Sequence, residues 1–234
     1  MSVYKNKLLN RLDAATIERL KLKPTKLDTG RQIEFTGDSI DNLFFIESGV
    51  GSMTTTFKDG SQVEVGLFGF ESVIGISALM GTKRSLNKIY MQISGHGFAS
   101  QIDVARAEFI RNERFQFLAL RYVQAQLTQA TQSAGCNARH SIEQRLARWL
   151  LLCADRVGND LPISQEFIGI MLGVTRPSVT IAFKVLIERS LIEHTRNRVR
   201  ILDRQGLEAL ACECYRVVRD HLDNYTEFDT GFTV

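Results

Sequence analysis

The sequence predicts an α+β chain: an N-terminal β-roll, one long helix, then a C-terminal winged helix-turn-helix. Three observations predict it. Short β-branched and aromatic runs separated by glycine turns fill about residues 24–103. Residues 104–134 contain neither glycine nor proline. Residues 163–202 read as two capped helices joined at a glycine and followed by a basic hairpin. The 234 residues correspond to one or two domains at about 150 residues each. A hydrophobic content of 44% with 24% charged residues excludes a disordered or fibrous chain.

The elements follow in order. Residues 3–20 have Leu8, Leu9, Leu12, Ile17 and Leu20 at helical spacing, so a short amphipathic helix is expected there. This segment has no uninterrupted apolar core, which argues against a secretory signal. No apolar run approaches the ~18 residues that span a bilayer. Strands are expected at 31–35, 43–46 and 51–57, with Lys58-Asp59-Gly60-Ser61 as a hairpin turn. In the long helix, Leu120, Val123, Leu127, Ala130 and Ala134 are spaced 3, 4, 3, 4. That is an a/d seam of about two heptads. It fits packing on the chain's own β domain, pairing with a second copy in a homodimer, or both. Gly135 is expected to end this helix. Residues 140–157 form the next, with Ile142, Leu146, Trp149, Leu150 and Cys153 along one side, and Gly158-Asn159-Asp160 is a loop.

Residues 163–192 carry the most information. Ser164 can cap a first helix whose apolar face is Ile168, Met171 and Leu172, while Gly169 permits close approach of a neighbour. Gly173 supplies a sharp turn, Thr175 can cap a second helix, and Pro177 is tolerated in its first turn. Val179, Ala182, Phe183, Leu186 and Ile187 should face inward. Arg176, Ser178, Thr180, Ile181 and Lys184 then face outward near the helix start, where a second helix reads base edges. Residues 191–202 follow as a two-stranded wing with Thr195, Arg196 and Arg198 at its basic turn, placed to meet phosphates. The charge agrees with this placement: residues 136–204 carry 11 basic and 7 acidic residues, whereas 205–234 carry 2 and 6.

The order of β-roll, long helix and winged helix-turn-helix resembles the cyclic-AMP receptor / fumarate-nitrate regulator (Crp–Fnr) superfamily of bacterial transcription regulators. The most specific stretches are ISQEFIGIMLGVTRPSVT, LIERSLIE and RVRILDRQGLEALA. The resemblance covers nearly the whole chain. It implies a cyclic-nucleotide-binding-like β-roll as effector domain and a homodimer on an inverted-repeat operator in double-stranded DNA. RNA polymerase is implied as a further partner; the cytoplasmic location is expected from the cysteines, which show no disulfide-framework spacing and read as reduced thiols. The resemblance also implies that Arg176 stands at the family's usual base-contacting arginine. The next two common contact positions hold Pro177 and Ile181, where the best-known members carry Glu and Arg, so the preferred sequence should differ. The division expected is 1–110 for the effector-type roll with flanking helices, 111–137 for the dimerisation helix, and 138–234 for the DNA-binding part with its tail.

The same resemblance locates an effector pocket at Gly75, Ile76, Ser77, Arg84 and Ser85. Members that bind cyclic nucleotides place a glutamate where Ile76 stands, and a ribose hydroxyl buried against isoleucine would lose about 1–3 kcal/mol. Cyclic AMP is therefore not expected. Another ligand, anionic ones included, and no required ligand both stay open. No cofactor is assigned. The iron–sulfur members use an N-terminal cysteine cluster, and no cysteine precedes Cys136 here. Cys212-x-Cys214, expected in a helix after the wing, has poor spacing for a zinc knuckle and no second cysteine pair, so no metal site is assigned and the thiols read as reduced. His96, the sole histidine of residues 30–103, cannot supply a cupin-type metal cluster. With no P-loop, GxSxG, HExxH or dinucleotide motif, an enzyme is not expected. The alternative to a DNA-binding regulator is a small-molecule sensor acting through protein contacts, with a degenerate helix-turn-helix.

Overall fold

The computed structural model describes residues 4–227; residues 1–3 and the end of the C-terminal tail, 228–234, lie outside it. The first elements are a 3-10 turn at Leu9–Arg11 and helix α1 (Ala14–Arg19). The single helix expected over 3–20 is thus two pieces, because the Asp13 carboxylate accepts from the Thr16 N–H at 2.7 Å and starts a new helix. Leu8, Leu9 and Leu20 are buried as expected.

Eight strands follow: β1 (Lys23–Leu27), β2 (Gln32–Glu34), β3 (Asn42–Ile46), β4 (Val50–Thr56), β5 (Gln62–Phe68), β6 (Val73–Ile74), β7 (Lys88–Ile93) and β8 (Gly95–Gln101). They form two antiparallel four-stranded sheets, ordered β1-β8-β3-β6 and β2-β7-β4-β5. The β4–β5 hairpin closes on the predicted turn. There Phe57 N–H donates to the Ser61 carbonyl at 2.9 Å, and the Asp59 carboxylate accepts from the Ser61 N–H at 3.0 Å.

Two expectations for the long helix are corrected. It is broken into α2 (Ile102–Arg111) and α3 (Glu113–Arg139). Asn112 makes the break: its side-chain oxygen accepts from the Phe115 N–H at 3.0 Å, capping α3, and its amide donates to Thr16 Oγ1. Gly135 does not end the helix, which runs on to Arg139. One helical glycine costs only about 0.5–1 kcal/mol relative to alanine, and the stop comes from extended His140 and the capping box at Ser141.

That box opens α4 (Ile142–Val157), buried around most of its circumference and forming the centre of the C-terminal half. Next come β9 (Asp160–Leu161), α5 (Gln165–Leu172), α6 (Arg176–Glu188), β10 (Ile192–Thr195), β11 (Arg198–Ile201), α7 (Arg204–Leu210) and α8 (Cys214–Asn224). The wing is three-stranded, ordered β10-β11-β9, so Asp160, expected in a loop, begins a strand opposite Arg200. Cys212 precedes α8 and Cys214 is its first residue, correcting their expected placement within one helix.

Polar contacts fasten the roll to the helices. The Gln129 amide on α3 accepts from Leu67 N–H at 3.0 Å and donates to Leu67 O at 3.2 Å. Glu64 on β5 is buried and accepts from the Trp149 indole N–H of α4 at 2.9 Å and from the Ser52 hydroxyl. Burial pushes the Glu64 carboxyl up to about 7, restrained by these hydrogen bonds and the charges of Arg148 and Arg156. The native state therefore keeps a proton that the unfolded chain releases near its ordinary value. Stability from this group is full below about pH 4.5, falls as pH rises to about 7, and is level above. The whole effect is at most about 3 kcal/mol. Urea unfolding of wild type and Glu64→Gln at pH 5 and pH 8 should show a smaller pH difference for the variant; equal differences would refute the assignment.

Candidate nucleic-acid interface and ligand cavity

The helix-turn-helix forms by local rules. Ser164 Oγ accepts from the Phe167 N–H at 3.2 Å, starting α5. Gly173 ends it at φ 62°, a left-handed conformation that suits glycine. A Cβ on Gly169 would lie 3.0 Å from Val179 Cγ2, so the small residue lets α6 approach. The axes of α5 and α6 turn by 112° at this corner, within the helix-turn-helix range. Thr175 is the N-cap of α6 but gives no side-chain bond to the backbone; its hydroxyl pairs with Ser178 Oγ at 2.9 Å. Ser178 is therefore half-buried and engaged at the cap.

On α6, Val179, Ala182, Phe183 and Leu186 are buried, while Ile187, expected inside, is 44% exposed at the edge of the stripe. Arg176, Thr180, Ile181 and Lys184 form one exposed face. Thr180 Oγ1 is engaged, accepting from Gln165 Nε2 and donating to the Arg176 carbonyl, both at 3.0 Å. Its methyl is what it can offer to a base. Lys184 lies 3.6 Å from Glu188, a weak surface pair. In the wing, Thr195 and Arg196 are exposed at the turn. Arg198 is paired with Asp160 at 2.9 Å, and Arg200 lies 3.9 Å from the same carboxylate. Asp160, which the sequence alone did not single out, thus stands beside both arginines. Arg196 has no acidic partner among the described residues.

The α5–α6 unit rests on the roll. Tyr90 stacks edge-on against Phe167 at 6.4 Å, and its hydroxyl donates to Met171 Sδ at 3.4 Å. A cleft of about 1080 Å³ opens between β2, β5 and β7 on one side and α5 and the start of α6 on the other, with Arg176 on its rim.

A second cavity, about 250 Å³, lies between the roll and α3. Gly75, Ile76 and Ser77 line it as the sequence reading expected. Arg84 and Ser85 do not. Arg84 is exposed and donates to the Gly37 carbonyl at 2.7 Å. Buried Ser85 donates to Glu34, a carboxylate that the sequence reading missed and that lines the cavity. Burial pushes the Glu34 carboxyl up, against the bonds from the Ser85 hydroxyl and the Gly75 N–H. The opposite wall is Val123, Gln126, Leu127 and Ala130 of α3. Of the a/d seam, Leu120 and Leu127 are 48% and 63% exposed, and Ala134 is exposed. The face that α3 buries within the chain is a different one: Phe115, Leu118, Ala119, Tyr122, Ala125 and Gln129.

Among the described residues, no single helix is long and apolar enough to cross a membrane. Residues 144–210 match the family described as a Crp-like helix-turn-helix domain. The chain is 23% identical over 214 residues to the global nitrogen regulator of Synechococcus elongatus, covering 87% of this chain and 96% of that one. A solved regulator from Eubacterium rectale, assigned to the Crp/Fnr family, aligns with a TM-score of 0.69 at 18% identity, covering 88% of this chain and 98% of its own. FixK2 from Bradyrhizobium japonicum aligns with a TM-score of 0.69 at 15% identity, covering 82% and 98%. Residues 144–210 thus carry a Crp-like helix-turn-helix domain, and the chain as a whole has the fold of the Crp/Fnr-family structures it resembles.

Proposed function

We propose that the chain binds an inverted-repeat operator in double-stranded DNA as a homodimer, with α6 of each copy in the major groove. The exposed face of Arg176, Thr180, Ile181 and Lys184, set on a helix whose other face is buried, carries the reading. In this reading residues 1–110 are the effector-type part, 111–137 the dimerisation helix and 138–234 the DNA-binding part. The protein works in the cytoplasm, by binding rather than catalysis, and acts on transcription through RNA polymerase. Leu120 and Leu127 support self-association, since large apolar side chains exposed at heptad spacing gain by burial against a second copy. Two such copies would set recognition helices about 34 Å apart, in successive major grooves. Light scattering and gel shift on the same samples test this. Wild type should be a dimer that retards promoter DNA, and less so at higher salt. Leu127→Glu would place two carboxylates in the seam and should give a monomer that retards it poorly. A wild type that is monomeric at micromolar concentration would sink the dimer.

The effector, where one is used, is not a cyclic nucleotide. Glu34 presents an acidic group to the cavity, Ile76 offers no acceptor for a ribose hydroxyl, and Arg84 is turned away to Gly37. These features also disfavour other anions and favour a small neutral or apolar ligand. Titration calorimetry with cyclic AMP and cyclic GMP should show no binding at micromolar affinity or tighter; a micromolar constant for either would overturn the assignment.

A further inference from the structure

Four side chains that take no part in reading DNA converge at the end of α3. Cys136 lies in the last turn of α3, and His140 is the extended residue that follows the helix. Cys212 and Cys214 flank Glu213 in the link from α7 to α8. One ligand atom from each of the four lies within 4.8 Å of all the others. Cys136 Sγ is 3.5 Å from Cys212 Sγ, and Cys214 Sγ is 3.5 Å from His140 Nδ1. A tetrahedral centre with metal–sulfur bonds of about 2.3 Å and a metal–nitrogen bond of about 2.0 Å has edges of about 3.5–3.8 Å. Two of the separations, both 3.5 Å, already match such an edge, and the others, none above 4.8 Å, would close by at most about 1 Å around an ion.

The surroundings suit a charged thiolate centre. All three thiols are buried. His140 Nε2 lies 3.3 Å from a Glu213 carboxylate oxygen, the outer-shell partner that fixes an imidazole with Nδ1 free to ligate. Gln132 Nε2 donates to Cys214 Sγ at 3.1 Å. The buried guanidinium of Arg148 donates to Ser133 Oγ at 2.8 Å, three residues before Cys136 on α3. A disulfide between Cys136 and Cys212 would leave the other two donors unexplained.

We propose that Cys136, His140, Cys212 and Cys214 form a Cys3His site for a thiophilic divalent cation of the zinc class. Three soft sulfurs with one imidazole favour such an ion over magnesium or calcium, which take oxygen. The ion joins the last turn of α3 to the start of α8, beside the His140–Ser141 bend where α3 passes into α4. It would thereby fix how the DNA-binding half is carried on the long helix.

Metal analysis of the reduced full-length chain, then titration of the stripped protein with Zn2+ and with Co2+ as a spectroscopic probe, tests the site. About one zinc per chain is expected, with a Co2+ complex showing tetrahedral ligand-field bands and thiolate-to-metal charge transfer. Cys212→Ser, Cys214→Ser and His140→Ala should each weaken Zn2+ binding at least tenfold, whereas Cys153→Ser, which alters a thiol outside the cluster, should not. The wild-type Co2+ spectrum is independent of whether any variant folds. The proposal is overturned by wild-type protein that binds neither ion at micromolar concentration, by an octahedral Co2+ spectrum without charge transfer, by variants that bind as wild type does, or by a Cys136–Cys212 disulfide in the protein as isolated.

Discussion

Replacing Arg176 by alanine should cost about 1–3 kcal/mol per half-site and relax preference at one symmetric base pair. With two half-sites the loss is about 2–6 kcal/mol, or roughly 30-fold to more than 10⁴-fold in affinity. Helical side chains tilt toward the helix N-terminus, and Arg176 is exposed at the first position of α6. Its fork matches guanine O6 and N7, a geometry that lysine cannot reproduce, so Arg176→Lys should also lose preference. Thr180 and Ile181 should supply softer contacts to thymine methyls, Thr180 through its methyl because its hydroxyl is engaged. The wing should behave differently. Arg196→Ala should weaken all sequences alike and flatten the slope of log affinity against log salt by about 0.9 for each phosphate it no longer neutralises. Arg198→Ala should change it less, because Asp160 already pairs that arginine. Selection from randomised sites decides between these roles. The assignment fails if Arg176→Ala keeps the wild-type preference while Arg196→Ala alters it.

What could be read from the sequence was whatever is decided locally. Ser164, Gly173 and the 179/182/183/186 stripe specify the helix-turn-helix from within about 25 residues, and the structure follows them. The Asp59-Gly60 turn fixes the β4–β5 hairpin in the same way. The misreadings were decided at a distance. Asn112 breaks the long helix with help from Thr16, nearly a hundred residues earlier. The two residues of β9 are a strand only because β11 lies beside them. Glu34 enters the cavity because β2 pairs with β7 and brings it to Ser85, so no spacing along the chain could announce it. The neighbours of Cys212 and Cys214, namely Cys136 and His140, stand more than seventy residues away along the chain, so no local spacing could announce them. Trp149 carried a usable signal: a buried indole N–H needs an acceptor, and Glu64 is that acceptor. The signal says that a partner exists without saying which strand supplies it.

Arg156→Met should destabilise the fold by about 3–5 kcal/mol, because it leaves a buried carboxylate without its partner. The side chains of Arg156 and Glu71 are 3% and 5% exposed. Arg156 Nε donates to Glu71 Oε1 at 3.0 Å, and the guanidinium also donates to the Leu152 carbonyl. The same carboxylate oxygen accepts from Ser72 Oγ at 3.0 Å, and the Tyr225 hydroxyl donates to the Glu71 carbonyl at 2.8 Å. Gly69 makes room, since a Cβ there would lie 2.5 Å from the arginine side chain. The pair thus ties the loop after β5 to α4, one half of the molecule to the other. Much of the single-variant loss is the cost of the stranded charge rather than the net worth of the bond. Glu71→Leu with Arg156→Met should therefore recover a large part of it, giving a coupling energy of about 2 kcal/mol or more in a double-mutant cycle. Urea unfolding followed by tryptophan fluorescence and by far-ultraviolet circular dichroism measures both quantities. Trp149 reports on the junction, whereas circular dichroism reports on the whole chain, so divergence of the two curves in Arg156→Met would show the halves separating before they unfold. A loss below about 1 kcal/mol in the single variant, or a double variant no more stable than Arg156→Met alone, would refute the pair as the tie between the halves.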